Sequence, residues 1–231
     1  MAIFHDAWLF DPRAFGISVL GRAHAVADDS AVGYGAVRAF AIDALDNSNN
    51  GWFFVERYGG WDRASVLSEL PDQAMGDSVH IAHCFTLLLY SHLANENSPR
   101  VSVGLNSEWR ITKELLINIG WDASVAEMSI KGREFGDFAE NYLMSGLTSN
   151  QLAATRRIWS SIRPASTASW VGWLDRKDAS LLMGRLVDAE IEMSSLKSAA
   201  PGAEVNLIRI LVSMFQAATE SDRGLCLILS G

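Results

Sequence analysis

Gly224-Leu225-Cys226-Leu227-Ile228-Leu229 is a continuous apolar run opened by a glycine. It directly follows a segment, about Ala203 to Ala218, in which Val205, Ile208, Leu211, Val212 and Phe215 recur at helical spacing. The run is short and bounded by turn residues, so it reads as a buried strand that follows a helix. Working outward, most other segments are helical in period. Asp178 to about Ser198 turns Leu181, Leu182, Leu186, Ala189 and Met193 to one side, and Thr148 to about Ile162 precedes it. Ser107 opens a helix through Trp109, Ile111, Leu115 and Leu116, with Gly120 placed to end it. Asp77 or Ser78 starts another, ending near Leu93, and Ser30 caps one to about Leu45 with Val37, Phe40, Ala41 and Leu45 in a stripe. Gly51-Trp52-Phe53-Phe54-Val55-Glu56-Arg57-Tyr58 reads as a second buried strand, because it is aromatic, β-prone and bounded by turn residues. Ala2 to Phe10 and Arg100 to Leu105 are weaker strand candidates. Strands and helices do not alternate, which disfavours a doubly wound sheet. The expected class is α+β and helix-rich, with about six to eight helices packed on a small sheet that includes the C-terminal strand.

Turn clusters at 46–51, 95–99, 163–166 and 198–202 divide the chain without a long linker. Connections this short suit one compact domain over residues 1–231, with a possible seam near 96–106. A chain of 231 residues with 49% apolar composition buries roughly 70% of its unfolded surface, which is enough for a self-sufficient core. No run of 18 uncharged apolar residues occurs, so a membrane span is not expected.

The formal charge is -8, and its placement is uneven. Residues 1–100 hold 12 acids and 6 Arg with no Lys, whereas the remainder is near balance. Nucleic-acid binding needs clustered cations to release counterions, and Arg156-Arg157 and Arg176-Lys177 are only pairs. Cys84 and Cys226 both sit in apolar runs, which suits buried free thiols rather than a disulfide framework. Met1 to Asp6 lacks the basic and apolar stretches of a signal peptide, and the cytoplasm is the expected location.

Gly-Trp-Asp occurs twice, at 60–62 and 120–122. Asp62 as N-cap sets Trp61 and Val66 at the positions of a hydrophobic staple. The second copy has Ala126 where Val66 stands in the first, so its staple is weaker. The recurrence fits either a duplicated unit or two independent helix starts.

No phosphate loop, His-Glu-x-x-His, Cys-x-x-Cys, nucleophile elbow or dinucleotide fingerprint is present. Ser194 and Lys197 have a Ser-x-x-Lys spacing without its companion elements, and Lys197 suits the helix dipole. The best chemical candidate is the helix from Asp77 to Leu93. With His80 at zero and about 100° per residue, Cys84 falls near +40°, Asp77 near +60° and His83 near -60°, so they share a stripe; His92 does not. Such a stripe could give His80, His83 and Cys84 as ligands of a transition metal, or His80 or His83 as a general base beside Asp77. The favoured reading is plainer: the solvent-facing side of a core helix, with His80 and His83 hydrogen-bonded or wet.

Eight Trp is a high count, and Trp170 and Trp173 follow a Pro, Ser and Thr-rich break one helical turn apart. Aromatic residues beside an acidic surface are the composition of a protein-binding hot spot. A role in the protein's own core is the competing reading. Together these features favour a non-catalytic protein-binding role, such as an immunity or antitoxin-like protein or an accessory subunit, with a basic protein partner. Asp28, Asp29, Asp43, Asp46, Asp72 and Asp77, with Trp170 and Trp173, are the expected contact residues. The alternative is a small, metal-assisted enzyme centred on His80, His83 and Cys84.

Overall fold

The computed structural model describes residues 4–28, 30–70, 78–94, 109–138, 141–142, 148–150, 152–153, 156, 168–195 and 203–230. It is helix-rich α+β, with a four-stranded sheet in the order β1-β4-β3-β2. The strands are β1 (Phe4–Phe10), β2 (Arg133–Glu134), β3 (Ala168–Leu174) and β4 (Gly224–Ser230). The chain divides into two compact units, one of residues 1–10, 100–133 and 172–231, the other of residues 11–99 and 134–171. Residues 96–106, where a seam is expected, lie outside the described residues, as do Arg100 to Leu105 and most of the helix expected over Thr148 to Ile162.

In the first unit, β1 and β4 run antiparallel, from Phe4 opposite Ser230 to Phe10 opposite Gly224. Leu225 to Leu229 are all buried, so both faces of β4 are covered; this is why its sequence is continuous rather than alternating. Helices α6 (Trp109–Asn118), α7 (Ala123–Lys131), α9 (Arg176–Ser195) and α10 (Ala203–Glu220) supply the rest of the core. Leu182, Leu186 and Ala189 of α9 meet Ile208, Leu211 and Phe215 of α10 in one cluster with Leu225 and Leu227. Asp175 caps α9 by accepting from the Asp178 backbone N–H at 2.8 Å. Arg133 grips Asp178 with two bonds of 2.7 Å, tying β2 to the first turn of that helix.

The second unit is a layered set of helices, α1 (Pro12–Asp28), α2 (Ser30–Asp46), α3 (Gly51–Phe54), α4 (Arg63–Glu69), α5 (Ser78–Ala94) and the short α8 (Gly136–Phe138). Arg22 lies over the Phe40 ring at 3.1 Å, and a Cβ added to Gly33 would come within 2.4 Å of Val26 Cα. Helices α1 and α2 therefore pack antiparallel, and only glycine at 33 allows their backbones to come so close. On α2 the inward stripe is Tyr34, Val37, Ala41 and Leu45, all fully buried or nearly so, and Ser91 of α5 donates to the Ala44 carbonyl at 3.0 Å.

Two expectations are corrected. Gly51 to Tyr58 is not a strand but α3 followed by a π-helical turn, Val55–Gly59. Phe54, Val55 and Tyr58 are buried while Phe53, Glu56 and Arg57 face out, a helical phase that packing imposes over aromatic β-propensity. Trp170 and Trp173 are not a helical turn apart, because both lie on β3.

The two Gly-Trp-Asp segments, one in each unit, both carry the chain from the end of one helix into the next, though with different hydrogen bonds. Gly60 and Gly120 have φ of 68° and 94°, the left-handed region that suits glycine after a helix. Asp62 then caps α4 through the Ser65 N–H, and Asp122 caps α7 through the Ser124 N–H. Both tryptophans are half-buried at the corner.

Candidate functional site

Helix α5 places His80, His83 and Cys84 as their spacing requires, on the second unit's inner layer. None of the three lies on an open solvent face. Cys84 is fully buried, and desolvation pushes its thiol up to about 12. It is therefore protonated at neutral pH and is a poor nucleophile or metal ligand. His80 and His83 are half-buried under aromatic rings, with Tyr34 at 6.1 Å from His80 and Trp61 edge-on to His83 at 5.1 Å and 78°. Nδ1 of His80 is buried and has no hydrogen-bond partner among the described residues. His92 rests on Phe15 at 5.3 Å, apart from the stripe. Among the described residues no three His, Cys, Asp or Glu side chains converge to hold a metal ion. Asp77, the carboxylate expected beside them, lies outside the described residues.

The expected partner-binding residues separate. Asp43 is exposed on α2, where its carboxylate accepts from the Asn47 side chain at 3.0 Å. Asp46, one turn on, is engaged within its own unit. The Arg63 guanidinium binds both its oxygens at 3.1 and 3.0 Å, and the Trp52 indole N–H donates to it at 2.9 Å. These bonds, Arg63 first and Trp52 next, hold the Asp46 carboxyl below its ordinary range. Asp28 ends α1, and Asp29 and Asp72 lie outside the described residues. Trp173 is 1% exposed, so it belongs to the core and not to a contact surface. Three positions away on an extended strand, Trp170 points to the opposite face and is half-buried. Lys197 of the Ser194 spacing also lies outside the described residues.

The surface that sequence reasoning missed is the corner where α2, α3 and α4 meet. Phe53 is 57% exposed there. Beside it Trp52 is half-buried, its indole tied to Asp46 and the Arg63 guanidinium 5.7 Å from its ring. Reading 51–58 as a strand concealed this; a helical wheel of the same residues puts Phe53 opposite Val55 and Tyr58.

The second unit holds fourteen Asp and Glu against eight Arg and no Lys, whereas all four Lys of the chain fall in the first unit. Among the described residues no helix is long and apolar enough to cross a membrane. No protein-family description, no curated protein and no solved structure matches the chain.

Proposed function

We propose that this chain is a non-catalytic protein-binding component, such as an immunity or antitoxin-like protein or an accessory subunit, that engages a partner with a basic surface in the cytoplasm. The observation that carries the reading is the concentration of acidic charge in one compact unit, fourteen acids against eight Arg without a lysine. A field of one sign speeds encounter with an opposite surface and repels like-charged ones, so it gives specificity and on-rate more than affinity. Asp43 supports this reading as an exposed carboxylate whose partner among the described residues is the Asn47 amide, not a cation. Two free, buried cysteines suit a reducing compartment.

The test is capture of proteins from a lysate of the source cell on the immobilised full chain, followed by association kinetics with the purified, identified binder. The expected partner has a high isoelectric point, and its association rate falls roughly tenfold or more between 50 mM and 500 mM salt. An association rate unchanged by salt would overturn the reading.

A further inference from the structure

We infer that the partner docks on the corner of α2, α3 and α4, seating Phe53 in an apolar pocket rimmed by Arg or Lys; this inference rests on the proposed function. Phe53 is 57% exposed and sits on a four-residue helix whose Phe54 is buried. A phenylalanine side chain gives large apolar burial once covered, and here its own fold leaves more than half of it in water. Its neighbour Trp52 is held in place before any partner arrives, with the indole N–H on Asp46 at 2.9 Å and Arg63 bound to the same carboxylate at 3.1 and 3.0 Å. Side chains already fixed lose little freedom on binding. Trp and Arg, with an aromatic anchor beside them, are the types that dominate binding energy at interfaces.

Charge selects the occupant. From residue 43 to residue 63 the corner carries Asp43, Asp46, Glu56 and Asp62 against Arg57 and Arg63. Arg63 is neutralised by Asp46, and Asp43, Glu56 and Asp62 are exposed. The excess is acidic, which a basic rim complements and a second copy of this chain, net -8, does not.

The experiment titrates the identified binder against the full chain carrying no change, Phe53→Ser, Phe53→Tyr or Asp43→Asn. Phe53→Ser is expected to weaken Kd by about 30-fold or more through faster dissociation, with thermal stability unchanged. Phe53→Tyr is expected to keep most of the affinity, and Asp43→Asn to slow association and flatten its salt dependence. An unchanged Kd for Phe53→Ser would overturn the docking surface and leave the proposed function standing. Failure to obtain any salt-sensitive binder would overturn both. Sedimentation of the chain alone supplies the last arm: self-association abolished by Phe53→Ser would replace the basic partner with a second copy.

Discussion

Arg63 reaches back 17 residues to hold Asp46 by both carboxylate oxygens, at 3.1 and 3.0 Å. The pair joins the end of α2 to the start of α4 across the exposed corner and leaves Asp46 with little capacity to meet another cation. Because the folded carboxyl titrates below its ordinary value, the stabilisation is present above the unfolded pKa of about 3.9 and is lost as pH falls through the folded one. In thermal melts the gap between the unmodified chain and Asp46→Asn should therefore be largest near neutral pH in low salt. It should shrink in about 1 M salt, and again below about pH 4. A gap that ignores both would show that the pair contributes nothing.

Glu127 of α7 accepts from Lys113 at 2.7 Å and from Lys131 at 2.8 Å, and these bonds lower its carboxyl from 4.5 to about 2. The associated stability is complete above about pH 4.5 and drains away as acid approaches pH 2. Its side chain is 42% exposed, so solvent screening limits the contribution to about 1 kcal/mol or less. Urea unfolding of Glu127→Gln between pH 2.5 and 6 should show a flatter stability curve than the parent. Parallel curves would sink the prediction.

Trp173→Ala should cost about 3–5 kcal/mol, because it empties a position that is 1% exposed. Chemical denaturation of this variant measures that loss directly. A cost below about 1 kcal/mol would mean that the side chain does not fill the core.

Neither thiol should react in the native state. Cys84 and Cys226 are both buried, and desolvation raises both above the ordinary thiol range. A chromogenic disulfide reagent at pH 8 should label neither within minutes and both once the chain is denatured. Rapid labelling of folded protein at Cys84 would reinstate that residue as a chemical candidate.

Much of the architecture was legible where amphipathic period and burial agree. Ser30 to Leu45, Asp77 to Leu93 and Ala203 to Ala218 each match a helix within about two residues, and Gly224 to Leu229 is the strand its composition describes. Helix α1 was not found, although its start is written in sequence: Asp11 caps it by accepting from the Ala14 N–H at 2.9 Å, and Pro12 occupies the first helical position. Gly51 to Tyr58 misled because aromatic residues favour strands only when a sheet is there to receive them, and here a helical layer receives them instead. The histidine stripe was placed correctly on its helix, but the rings of Tyr34 and Trp61 come from elements 46 and 22 residues earlier in the chain. No local pattern encodes such contacts. Phe53 was hidden for a different reason: residues 51–58 were read in a strand's period, whereas a helical period sets Phe53 opposite Val55 and Tyr58.

The pairing of Phe4 with Ser230 has a further consequence for how the protein is made. Strand β1 leaves the ribosome ahead of its hydrogen-bonding neighbour β4, which emerges only after everything between them. At about 5–20 residues per second that interval is roughly 10–45 s. During it Ala7, Trp8, Leu9 and Phe10 have no β4 to pair with, while every residue of the second unit is being synthesised. Order of synthesis and order of pairing thus differ: β1 waits for the last strand of its sheet to be made, and for that interval chaperones, or a neighbouring nascent chain, compete for its edge.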